Sequence, residues 1–204
     1  RGTERAIRPA AARPARWHTM RIRDLLKKFT GDRRASLLAE TALTLSLLVT
    51  MMLAGAEIAR YTLLHQKLER IAASIGDLIA QAETLTETDV LNVFDAINEV
   101  AKPFPMGAQG LVNISSIGAS GGSGLVINWQ RNGGGSLAAT SLVGATGSAA
   151  TLPAGFTVLD GETVIVAEVH YDYQPWLFAK IIGPQQLYHS AYFRPRLGTL
   201  SAIQ

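Results

Sequence analysis

From Thr41 to Ala56 the chain runs TALTLSLLVTMMLAGA, without a charged side chain. Extending the run back to Ala35 makes about 22 residues broken only by Glu40, roughly 33 Å of helix and enough to cross a bilayer core. The uncharged part alone is somewhat short, so a span works only with Glu40 inside the membrane or at its edge. An unpaired carboxylate is costly there. The acid therefore calls for a partner.

Charge divides the 204 residues unevenly. Residues 1–35 hold eleven Lys and Arg against Glu4, Asp24 and Asp32, a net of +8, and the remainder carries −5. A basic flank before an apolar span predicts that the flank stays cytoplasmic and the rest is translocated. Basic arms also bind nucleic acid, but this one ends at a membrane span, so no nucleic-acid partner is expected. The length suits one ordinary domain beside a membrane helix. The absence of cysteine excludes disulfides and thiol chemistry and leaves the redox compartment open.

Residues 1–19 are rich in Arg, Ala and Pro, lack apolar periodicity and are expected to be disordered. Met20 opens a more orderly segment and is the expected biological start, with residues 1–19 an over-extended reading frame. Residues 20–35 look like a secretory n-region, for which Leu53-Ala54-Gly55-Ala56 would be the cleavage site. The helical pattern runs straight through that point, without turn residues, which argues against cleavage there.

Beyond Ala56, Tyr61, Leu64, Leu68, Ile71, Ile75, Leu78 and Ala82 follow a 3,4 spacing, a seam on one helix face with Arg60, Lys67, Arg70 and Asp77 away from it. Span and seam predict one helix from about Ser36 to Ala82. Thr86-Glu87-Thr88-Asp89 has capping-box spacing, and Val90, Phe94, Ile97 and Ala101 repeat at helical intervals behind it, predicting a second, short helix. Strands are predicted at 111–117, 125–130, 163–173 and 187–193, the first two joined by a loose turn, with a helical turn over 175–182. Residues 132–155, dominated by Gly, Ala, Ser and Thr, are expected as a flexible surface loop. The fold class is α+β: a long N-terminal membrane and stalk helix with a small antiparallel-sheet head.

Alternation along 163–173 puts Glu168, His170 and Asp172 on one face, opposite Ile165, Ala167, Val169 and Tyr171. Three potential ligands at this spacing suggest a metal. Strand geometry separates them by about 7 Å, too far to meet one ion comfortably, and the face is expected to be the solvated side of a half-buried strand. The Gly-rich stretches lack the Lys-Ser/Thr and following helix of a phosphate loop. His65 and His189 are expected to be structural or exposed. Tyr171, Tyr173, Trp176, Tyr188, Tyr192 and Phe193 are expected in the core and rim of the head. Neither a catalytic centre, a metal nor a cofactor is expected.

Arg33-Arg34-Ala35-Ser36-Leu37-Leu38-Ala39-Glu40 combines a basic leader, a small residue, four mostly apolar residues and a glutamate at the head of a span. It resembles a type IV prepilin processing site. The resemblance implies that prepilin peptidase cuts between Ala35 and Ser36, and that Glu40 sets assembly register by pairing with the N-terminal amine of a neighbouring subunit. Such pairing makes a buried carboxylate tolerable. Glu57-Ile58-Ala59-Arg60-Tyr61, the later Val169-x-Tyr171-x-Tyr173-x-Pro175 and the ending Ala191-Tyr192-Phe193-Arg194-Pro195-Arg196 resemble TadE/TadF-type minor pilins of tight-adherence pili. Two positions depart from the pattern: Ala35, where glycine is usual, and Thr41, where an aromatic is common.

The resemblance implies a type IV pilin-like fold and a non-enzymatic minor pilin or pseudopilin that helps assemble or prime a tight-adherence pilus. Residues 1–35 would be the leader, 36–56 the transmembrane helix, 57–82 its periplasmic continuation and 83–204 the periplasmic head. Its partners would be the prepilin peptidase, other pilin and minor-pilin subunits, the inner-membrane pilus platform and the lipid bilayer. Its places would be the inner membrane, crossed once with the N-terminus cytoplasmic, and the extracellular pilus. The alternatives are an uncleaved, TadG-like single-pass protein supporting the pilus machine and a membrane-tethered periplasmic metal hydrolase using Glu168, His170 and Asp172.

Overall fold

The computed structural model describes residues 33–119 and 124–204. The expected leader up to residue 32, with the start at Met20, and residues 120–123 lie outside the described residues, as does the Ala35 side chain. The chain divides into two units, Arg1–Met51 and Met52–Gln204.

In the first unit, every described residue from Arg33 to Met51 is helical, part of α1 (Arg33–Ala80, 48 residues). No proline interrupts α1, and Leu, Ala and Met, all good helix formers, dominate its apolar stretch. Its side chains in this unit are exposed where described, Leu37, Leu38, Leu43, Leu45, Leu47 and Leu48 among them. The helix is long and apolar enough to cross a membrane.

In the second unit, α1 becomes amphipathic and packs on a sheet. Leu64, Leu68, Ile71, Ala72, Ile75, Ile79 and Ala80 are buried. Of the expected seam only Leu78 departs, 54% exposed with Ile79 buried in its place, while Ala82 packs against the core. A strict 3,4 repeat averages 3.5 residues per turn against the helix's 3.6, so the stripe drifts until a 4-residue step wins. Gly76 leaves room for the Phe193 ring, since a Cβ there would lie 2.5 Å from Phe193 Cδ2. Thr86 caps α2 (Glu87–Ala101) through the expected capping box with Asp89, and α2 buries Val90, Val93, Phe94, Ile97 and Ala101.

The sheet comprises β1 (Gly110–Ala119), β2 (Leu125–Gly133), β3 (Thr163–Tyr173) and β4 (Gln185–Phe193), ordered β2-β1-β3-β4 with every neighbouring pair antiparallel. One face of β3, with Ile165, Ala167, Val169, Tyr171 and Tyr173, joins the helices in the main core. The other face holds a second core of Ile117, Ile127, Val143, Val164 and Val166. The 132–155 segment is mostly exposed or half-buried, as expected of a surface loop. This segment is tied down by Ser136 N–H to Gly107 O (2.7 Å), Leu137 N–H to Gly110 O (3.1 Å) and Ala150 N–H to Leu125 O (2.8 Å), with Val143 buried. It closes over the far side of the sheet. The C-terminal stretch returns to the helices through Arg196 N–H to Ala80 O (2.9 Å) and Gln204 N–H to Leu85 O (2.8 Å), and Leu200 O accepts from buried Trp129 Nε1 at 2.8 Å.

Candidate functional site

Residues 36–56 must satisfy their own polar groups if no water reaches them. Thr41 Oγ1 donates to Leu37 O (2.6 Å), Ser46 Oγ to Leu43 O (2.8 Å) and Thr50 Oγ1 to Ser46 O (2.8 Å). The hydroxyls are thereby folded back onto the helix backbone, as suits a lipid-facing helix. Ser36 and Glu40 are helical and exposed, and Ala35 lies in the same helical backbone. Among the described residues Glu40 has no hydrogen-bond or ion-pair partner, and the side chains of Leu37, Leu38, Ala39 and Thr41 around it are exposed.

A different carboxylate is fully provided for. Glu57, the first charged residue after the apolar run, is buried in the second unit. It accepts from the Tyr173 hydroxyl, from Trp176 N–H (3.1 Å to Oε1) and from Leu177 N–H (3.0 Å to Oε2). Burial works to raise its pKa, but the Tyr173 hydroxyl, the two N–H groups and the Arg60 charge outweigh it and hold the carboxyl below its ordinary value. Tyr173 is pushed up to about 12, chiefly by burial and then by the carboxylate it faces. One helical turn on from Glu57, the Arg60 guanidinium lies over the rings of Phe104 (5.5 Å), Tyr173 (5.7 Å) and Trp176 (5.2 Å), a cation–π nest. Arg60, expected away from the packed face, is thus drawn into it by aromatic rings.

No family model, curated protein or solved structure matches the chain. Its function must be read from the geometry.

Of the face expected to be solvated, Glu168 and His170 are buried, with the Ser141–Leu142 stretch covering Glu168, whereas Asp172 stays half-exposed. Glu168 is completely buried and accepts from Ser141 Oγ, Leu142 N–H (2.8 Å) and Tyr188 Oη (2.9 Å). Its oxygens are occupied in fastening the loop to the sheet. His170 is buried beside Tyr188, ring centroids 5.0 Å apart, and its Nε2 finds no partner among the described residues. Burial lowers the His170 pKa, with the Glu168 charge opposing. No group of three His, Asp or Glu side chains gathers around a common point among the described residues.

His65 and His189 meet across the α1–β4 contact, Nδ1 to Nε2 at 2.9 Å, with Tyr61 packed edge-on to His65 at 4.5 Å. Burial and then the His65 charge lower the His189 pKa, while Glu69 opposes. Tyr171 and Tyr173 are buried as expected, but Trp176 is 77% exposed. Glu57 and Arg60 were visible in the sequence as an acid and a base one turn apart after the span; what sequence could not show was that β3 and its following loop would close on them.

Proposed function

We propose that this chain is a minor pilin or pseudopilin of a tight-adherence pilus with a type IV pilin-like fold. Ser36–Ala56 anchors it in the inner membrane, with the residues from Glu57 onward in the periplasm. Prepilin peptidase removes the leader between Ala35 and Ser36. The new amine of a neighbouring subunit then pairs with Glu40 and sets the register in which the helices pack, first on the pilus platform and then in the fibre.

One observation carries this reading. A single helix leaves its apolar half exposed where described, with an unpartnered glutamate at its head, while burying its second half on an antiparallel sheet. Exposed leucines of this number need lipid or other helices around them. A lone acid among them is tolerable only when neutralised.

The test is the mass of the mature protein made together with its peptidase. A chain beginning at Ser36 supports the proposal. An intact leader would turn the molecule into an uncleaved anchor that supports the machine. Glu40→Ala is expected to stay membrane-bound yet fail to support piliation, and normal piliation by that variant would remove the pairing role.

A further inference from the structure

The stretch from Pro175 to Pro184 (PWLFAKIIGP) does not behave as a surface loop should. Trp176 and Ile181 are 77% and 79% exposed, and Leu177 and Ile182 are about half exposed. Four large apolar side chains facing outward within seven residues form the kind of patch that marks an interaction surface. The loop is also structured rather than merely greasy. Ile181 and Ile182 N–H both donate to Phe178 O at 2.8 Å, making the expected helical turn.

Position decides what the patch meets. Trp176 and Leu177 are bonded through their backbone N–H groups to the Glu57 carboxylate, and Glu57 follows Ala56 directly in the chain. The loop is therefore held level with the residue at which the apolar run ends. Ile58, on the next helical position, is 66% exposed. Together with Tyr61, Tyr173, Pro175 and Ile182 it lines an apolar cavity of about 190 Å³ beneath the loop. Between Gln174 and Gln186 the one ionisable side chain is Lys180. Tryptophan and lysine are the residues that favour a membrane–water boundary, tryptophan at headgroup depth and lysine toward lipid phosphates.

We infer that this loop is a second, interfacial membrane contact. Trp176, Leu177, Ile181 and Ile182 enter the headgroup and upper acyl region beside the helix exit, Lys180 meets lipid phosphate, and Glu57 is the clamp that holds the loop at that depth. The inference rests on the reading of residues 36–56 as a span. It adds that the chain grips one leaflet with two elements.

The test exploits the absence of cysteine from the chain. Full-length protein carrying Ile181→Cys, Leu47→Cys or Leu159→Cys is labelled with an environment-sensitive fluorophore and placed in phosphatidylcholine–phosphatidylglycerol vesicles. Matched vesicles contain lipid spin-labelled either near the glycerol end or near the methyl end of its acyl chain. Leu47, at the middle of residues 36–56, reports on the span through the methyl-end label, and position 181 is read with the glycerol-end label. Leu159 is an exposed control beyond the opposite end of β3, roughly 30 Å along the strand from the loop. The label at 181 is expected to shift to the blue and lose roughly half its emission to the spin label, as suits burial about 5–10 Å into the interface. The label at 159 should lose almost none. Quenching at 47 without quenching at 181 overturns the loop contact and leaves the span standing. Quenching at neither position overturns the span, and the inference falls with it.

Discussion

Two buried carboxylates of the second unit do the same job, each tying a loop to a regular element. Removing Glu57 by Glu57→Ala leaves the Tyr173 hydroxyl and the Trp176 and Leu177 N–H groups without their acceptor, a loss of about 2 kcal/mol. The full-length protein in detergent should melt lower, and amide exchange should speed up first at 176 and 177. Unchanged exchange there would mean that the clamp is not what orders the loop. Glu168→Ala is expected to be worse, about 3 kcal/mol, since Ser141, Leu142 and Tyr188 lose a partner at a fully buried point and the deleted side chain leaves a void. Glu168→Gln keeps the carbonyl oxygen and should recover part of the loss. Amide exchange at Leu142 separates the two variants, because Leu142 N–H needs an oxygen rather than a charge.

At the scale of elements, the packing of α1 on the sheet leaves no room for a side chain at Gly76. A Cβ on Gly76 would come within 2.5 Å of the Phe193 ring and 3.6 Å of Ala167 Cβ. Gly76→Ile should destabilise by about 2–3 kcal/mol through overpacking, even though isoleucine is the better helix former. Chemical denaturation of the detergent-solubilised chain is the measurement, and a neutral result would show that Phe193 swings clear. Much of this element level was legible beforehand. The α1 seam, the Thr86–Asp89 box and the alternation of β3 are local patterns with periods of 3.6 and 2, and they carry their meaning in the chain itself. The covering of the Glu168 face was not legible. It depends on Val143 and two donors, Ser141 and Leu142, in a stretch of small residues without any period. The Glu57–Trp176 clamp and the His65–His189 pair were hidden for a related reason, since their partners lie 119 and 124 positions apart. The exit acid was visible as a residue, and only the fold made it a site.

Across the second unit as a whole, two histidines set a pH limit on stability. Burial lowers both the His170 and the His189 pKa from the ordinary histidine value of about 6.5. A group whose folded pKa lies below its unfolded one binds fewer protons in the folded state as pH falls through that window. Its contribution is complete above about 6.5 and is lost below it. Protonation harms each site differently. At His170 a charged ring would sit buried beside Tyr188, with Glu168, whose oxygens are already taken, giving partial relief. At His189 a charged ring would sit part-buried against His65, and a second proton on each ring would leave neither facing nitrogen free to accept their 2.9 Å hydrogen bond. Melting of the full-length protein in detergent is therefore expected to be flat above about pH 6.5 and to fall as the pH drops below it. His189→Gln retains a polar partner for His65 without a titrating ring, so it should flatten part of this slope. An equally steep fall in that variant would place the acid sensitivity at His170 alone, and a flat profile in the unmodified chain would show that both rings accept their protons without strain.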